Sequence, residues 1–199
     1  MEDGWQCTAN GTTDRIDGRV RELVSADAMV MPLVEPLLTI LATMLREFAL
    51  LTKQVLDIVR KEEVCRRLMS APGVGPITAL AFRATVDRPE RFSHSRAVGV
   101  HLGLTPARYQ SGETDIQGKI SRCGDELART ALYEAAHSLL VRSKKWSSLR
   151  AWGMNIARRR GMARARVAVA RKLAVILHRM WVDATGFRYG KEPVSAAAA

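Results

Sequence analysis

Ala71-Pro72-Gly73-Val74-Gly75-Pro76 decides how this 199-residue chain folds. Two glycines between two prolines end one helix and permit another, because glycine suits a tight turn and proline suits a helix's first turn. Helix-forming segments flank the stretch, over residues 62–69 before it and 77–85 after it. The glycines allow positive φ and a close backbone approach, and Val74 would plug the turn into the core. Free N–H groups at the start of the second helix could then face a phosphate. The pattern therefore resembles a helix-hairpin-helix, which touches the nucleic-acid backbone and reads no bases. An ordinary tight turn between two helices is the alternative.

Helical signals continue outward in both directions. Downstream, Asp87-Arg88-Pro89 is a turn, Ser95 or a neighbour caps a short helix ending near Gly99, and Leu102-Gly103-Leu104-Thr105-Pro106 is a loop. Residues 107–120 lack a helical stripe and read as a short hairpin or an ordered loop. Asp125 caps a helix over about 126–142, and two more follow over about 146–159 and 163–184. Upstream, residues 18–60 read as helical, with Pro32 and Pro36 breaking the run near its front. There Leu37, Leu41, Met44, Leu45, Phe48, Leu51, Val55 and Ile58 recur at three- and four-residue spacing. That stripe suits a coiled-coil or dimer contact through residues 33–60, or packing onto the rest of the fold. The expected fold is mainly α: a long coiled-coil-like helix, then a helical domain with a helix-hairpin-helix and a short irregular or hairpin insert. The expected division is a disordered leader (1–17), the long helical segment (18–65), the main domain (66–191) and a disordered tail (192–199).

Charge points to a polyanion. The net charge is +11, with 31 Lys and Arg against 20 Asp and Glu. Between Glu134 and Asp183 there is no acid, yet Arg142, Lys144, Lys145, Arg150, Arg158, Arg159, Arg160, Arg164, Arg166, Arg171, Lys172 and Arg179 fall there. A salt-bridged surface would alternate signs; this run reads as a footprint for phosphates, with nucleic acid ahead of membrane. A basic protein without such a partner is the alternative. Cys7, Cys65 and Cys123 form no CxxC pair and no disulfide framework, and the four histidines show no metal-ligand spacing. No stretch has the length and apolarity of a transmembrane helix. A cytoplasmic, nucleoid-associated protein is the expectation.

Ser111 is the sharpest chemical candidate. It lies in a non-helical segment, Tyr109-Gln110-Ser111-Gly112, with Arg108 before it and Lys119 and Arg122 after it. A hydroxyl that attacks a phosphodiester needs a base and a positive clamp on the phosphoryl oxygens. The arginines and lysine could clamp; Glu113, Asp115, Asp125 and Glu126 are the nearby acids. A plain Ser-Gly turn is the alternative. The candidate DNA contacts are Gly73, Gly75, Arg108, Lys119, Arg122, Arg158, Arg159, Arg160, Arg164 and Arg166.

An ordered succession of motifs resembles the C-terminal domain of the "IS one-ten" insertion-sequence transposases. It runs from residues 69–79 through Arg91-Phe92, Gly103-Leu104-Thr105-Pro106 and Ser111-Gly112 to Gly118-Lys119-Ile120-Ser121-Arg122-Cys123-Gly124-Asp125, and ends at Gly186-Phe187-Arg188-Tyr189. The resemblance covers about residues 18–191. It implies that Ser111 is a nucleophile forming a phosphoserine link to DNA, with Gly112 beside it. It further implies oligomers, a structured guide-like non-coding RNA as partner, and Mg²⁺ held by an N-terminal ribonuclease-H-like domain with four acids. No stretch of this sequence reads as that acidic domain, so no cofactor is expected of the chain itself. The expectation is a truncated transposase for DNA transposition and recombination. The alternatives are a non-catalytic helix-hairpin-helix DNA- or RNA-binding protein and a dominant-negative partner of a full-length transposase.

Overall fold

A computed structural model describes residues 6–25, 27, 29–111 and 114–190. The chain divides into two compact units, residues 1–56 and 57–199. The first holds α1 (Gln6–Val24) and most of α2 (Met31–Lys61). Arg21 joins the two helices, reaching Asp17 at 2.9 Å and Glu35 at 2.7 Å. The connecting turn is local: the Met29 N–H donates to Asp27 Oδ1 at 2.9 Å. Two expectations need correction here. Helix begins at Gln6 rather than Gly18, and the break falls before Pro32 rather than at the prolines. Pro32 is the second residue of α2, where a missing N–H leaves no helical bond unmade. Pro36 lies inside the helix and removes only the bond to the Pro32 carbonyl.

The stripe on α2 is largely uncovered. Leu38 is buried, whereas Leu37, Met44, Phe48 and Leu51 are each at least 60% exposed. Residues 1–5 and 191–199 lie outside the described residues.

The second unit is built around α8 (Met162–Val182). Its buried residues Ala165, Val169, Leu173 and Leu177 recur every four positions, flanked by Ala170 and Ala174. Against this helix pack α3 (Glu63–Leu68), α5 (Arg96–His101), α6 (Glu126–Val141) and α7 (Ser148–Arg160). The next helix, α4 (Pro76–Val86), packs on α3 and α6. The fold is mainly α, with one antiparallel hairpin, β1 (Pro106–Ser111) and β2 (Thr114–Ile120), as its insert. Small residues set the spacing: a Cβ on Gly153 of α7 would lie 2.6 Å from Val169 and 2.8 Å from Leu140.

Two polar contacts fix the periphery. His178 is buried, with Nε2 3.0 Å from the Pro89 carbonyl and Nδ1 3.1 Å from Ser95 Oγ. A carbonyl only accepts, so Nε2 carries the hydrogen. Ser95 does precede α5, but its side chain makes no capping bond; the hydroxyl is spent on His178. At the other edge, Ser70 Oγ accepts the Phe187 N–H at 2.9 Å, and Ser148 donates its N–H to the Tyr189 carbonyl at 3.0 Å. Residues 185–190 thereby strap the α3–α4 turn to the start of α7.

In that turn Val74 is buried, as its apolar side chain requires. Gly73 has φ +86°, and a Cβ there would meet the Ala135 carbonyl oxygen at 2.3 Å. Gly75 has φ −95° and open space around its Cα, so the two glycines are not equivalent. Gly73→Ala is expected to destabilise the protein by more than about 2 kcal/mol in urea unfolding. Gly75→Ala, which changes only the first residue before α4, is expected to cost less than about 1 kcal/mol.

Candidate nucleic-acid interface

Ser111 is exposed and ends β1, directly opposite Thr114 on β2. The intervening Gly112 and Glu113 lie outside the described residues. Side chains alternate along a strand, which puts Ser111 and Arg108 on opposite faces. Arg108 pairs with Gln117 and Pro106 with Ile120, so β2 carries an extra residue there, a bulge that sets Gly118 and Lys119 opposite Ala107. Arg108 is therefore turned away from the serine, and Lys119 sits at the bulge beside the hairpin's root. A linear sequence hides this because register, not proximity in the chain, decides the face. Five residue steps along β1 place Ser111 roughly 17 Å from the hairpin's root.

That root is locked backbone against backbone. Gly103 has φ +64°, and a Cβ there would lie 2.2 Å from the Cys123 carbonyl oxygen. Gly124 has φ +91°, and a Cβ there would lie 2.0 Å from the His101 carbonyl oxygen. Each glycine thus lets the other strand's backbone through. Ser121 N–H donates to Thr105 at 2.9 Å and Arg122 N–H to Gly103 at 3.2 Å, closing the clasp. Arg122 is held at φ +55°, unusual for a residue with a side chain, and its guanidinium end is exposed at the root.

Asp125 follows immediately and is already engaged. Its Oδ1 accepts the Ala128 N–H at 2.8 Å, and its Oδ2 accepts from Thr85 Oγ1 at 3.2 Å. The backbone bond from Ala128, then that from Thr85, holds its carboxyl below the usual carboxylate range. This acid caps α6; it is not poised as a base for Ser111. Among the described residues no side chain hydrogen-bonds Ser111, and no cluster of three His, Cys, Asp or Glu could hold a metal ion. Cys65 is fully buried, and burial first of all pushes its thiol up, so it is packing rather than chemistry.

The cations form a separate surface. Arg158, Arg159, Arg160 and Arg164 are exposed around the α7–α8 junction. From Arg142 to Arg179, only Arg179 has an acidic partner among the described residues, Asp183 at 3.7 Å. Arg166 is half-buried and turned to Tyr133, whose hydroxyl accepts from it at 3.3 Å. Gly73 is packed on α6, while Gly75 stands open before the first turn of α4. Trp152 and Asn155 escaped the sequence reading, although with Ile156 and Arg159 they follow the spacing of one helix face. No described helix is long and apolar enough to cross a membrane.

Residues 65–151 match the family described as "Transposase IS116/IS110/IS902 family". Over that segment the chain belongs to this transposase family. The transposase for insertion sequence element IS1111A of Coxiella burnetii (strain RSA 493 / Nine Mile phase I) is 34% identical over 134 residues, which are 67% of this chain and 37% of that protein. The putative transposase y4pF/y4sB of Sinorhizobium fredii (strain NBRC 101917 / NGR234) is 31% identical over 173 residues, 84% of this chain and 45% of the relative. A probable family 20 transposase of Pseudomonas aeruginosa PAO1 is 30% identical over 151 residues, 75% of this chain and 45% of that relative. The chain thus spans less than half the length of the curated relatives it matches.

The family segment contains the α3–α4 turn, the clasp, the hairpin with Ser111 and all of α6. Most of α7 and all of α8, with their arginines, follow it. The cap makes a measurable link between the transposase hairpin and α6. Asp125→Ala is expected to cost about 1 kcal/mol in urea unfolding near neutral pH. The folded pKa is depressed, so the charged cap's contribution is full above the ordinary carboxylate value of about 4 and is lost as pH falls through the depressed folded value. The stability gap between the parent chain and Asp125→Asn should narrow over that acid window.

Proposed function

We propose that this chain is the serine-bearing part of a DNA transposase: it binds DNA and carries Ser111 as the nucleophile for phosphodiester transfer. The observation that carries the reading is the position of Ser111. It is exposed at the end of an arm whose root is clasped within the family-matched segment. In the proposed step Ser111 Oγ gives up its proton and forms a bond to phosphorus, the bond from phosphorus to one bridging oxygen breaks, and that oxygen on the leaving strand takes a proton. Among the described residues no group of three His, Cys, Asp or Glu could hold a metal ion. Mg²⁺ and its acidic ligands are proposed to come from a ribonuclease-H-like segment of the family's kind. A structured non-coding RNA is a further proposed partner.

Duplex binding is proposed for the arginines around the α7–α8 junction, with Arg108 and Lys119 as a second contact. The open start of α4 at Gly75 would add backbone N–H groups for a phosphate, in the helix-hairpin-helix manner. The uncovered face of α2 favours a second role. Leu37, Met44, Phe48 and Leu51 would pair copies of the chain, or pair it with a full-length relative as a dominant-negative partner.

Two experiments test the function. With labelled DNA, Mg²⁺ and the acidic segment of a relative supplied in trans, the parent chain is expected to form a covalent adduct. Ser111→Ala should abolish the adduct and leave DNA affinity intact; an adduct that persists in Ser111→Ala refutes the nucleophile. Duplex affinity should also fall roughly a thousandfold between about 50 mM and about 200 mM salt, as release of counterions from some six phosphates requires. Neutralising Arg158, Arg159 and Arg160 should weaken all sequences alike, and a loss confined to one sequence contradicts backbone contact.

A further inference from the structure

Near the α7–α8 junction lies a groove of about 510 Å³ lined by Trp152, Asn155, Ile156, Arg159, Arg160 and Arg164. Its chemistry is graded. One end offers an aromatic ring, a carboxamide and an aliphatic side chain. The other offers three exposed guanidiniums with no acidic partner among the described residues. Trp152 is held in place by Lys172, whose Nζ lies 4.2 Å from the ring centroid and belongs to the neighbouring cleft. Asn155 is exposed, and its carboxamide makes no hydrogen bond among the described residues.

A duplex would satisfy the arginines alone. Its bases are stacked and paired, so Trp152 and Asn155 would meet only sugar and phosphate. An unpaired nucleotide uses every group. A ring face can lie on an indole, a free base edge can exchange hydrogen bonds with a carboxamide, and flanking phosphates suit guanidiniums. The volume falls among those of small-ligand clefts, about 300–1,000 Å³, which suits a nucleotide.

We propose that the α7–α8 groove holds an unpaired nucleotide of a single-stranded segment, its base on Trp152, its edge on Asn155 and its phosphates on Arg159, Arg160 and Arg164. This rests on the nucleic-acid reading above and narrows it to a strand class for this surface. The shared ligand chemistry is an unpaired nucleotide, whether from displaced DNA or from RNA.

The test uses the full chain with fluorescent short oligonucleotides at one salt concentration: single-stranded DNA, single-stranded RNA and duplex DNA of the same sequence. Trp152→Leu and Asn155→Ala are each expected to weaken single-strand binding by about tenfold, and to leave duplex binding within about twofold because phosphate contacts carry it. Trp152→Phe keeps an aromatic face and should retain most of the single-strand affinity, which guards against a leucine variant that fails to fold. Arg159→Gln should weaken both strand classes. The preferred sugar identifies the source. Equal losses for single strand and duplex in Asn155→Ala, or no loss in either, overturn this assignment while leaving duplex binding standing. A parent chain that binds no nucleic acid at all overturns both readings.

Discussion

The second unit depends on α8 serving two solvents at once. One side of this helix is alanine, valine and leucine, and four other α-helices pack on it. The other carries Arg164, Arg171, Lys172 and Arg179 into water. Alanine contributes here through its small size. It buries little area, but it lets α6 and α7 approach closely, and Gly153 extends the same economy to α7. Unpaired cations are tolerable on the far side because water solvates them fully, so the folded state needs no acids there. Except at Arg179, which Asp183 partners, phosphates meet no acidic competitor on this side among the described residues.

The architecture was legible where local chemistry decides structure. Periodic apolar residues announced α2, and Asp125 announced the cap of α6, because those signals act within a helical turn. The hairpin was read as one of two possibilities, since residues 107–120 lacked a stripe and little else. What the sequence could not carry was the result of long-range pairing. Ser95 looks like a cap and instead bonds a histidine on another helix. Arg108 looks like a neighbour of Ser111, yet alternation along the strand sets it on the reverse face. Gly73 and Gly75 look alike, and only one faces a backbone. Asp125 looks available to a nucleophile until its two hydrogen bonds are placed. Ser95, Gly73 and Asp125 were each settled by a partner dozens of residues away.

Candidate chemistry and most of the candidate affinity are thus carried by different materials. The serine stands on a strand pair, whereas the arginines stand on helices anchored in the core. Such a separation lets a substrate be gripped in one place and presented in another, with the geometry between them set by the rigid α5–α6–α8 body.

The glycine clasp has an angular consequence. Ser111 lies roughly 17 Å beyond the clasp, so a tilt of about 3° at the root displaces its hydroxyl by about 1 Å. A misplacement of that size can cost an in-line reaction about a hundredfold. Side-chain packing at the root would leave room for such a tilt, because rotamers yield. Carbonyl oxygens set directly against the Gly103 and Gly124 Cα positions do not, and they turn a slender arm into a pointer with a narrow cone of aim.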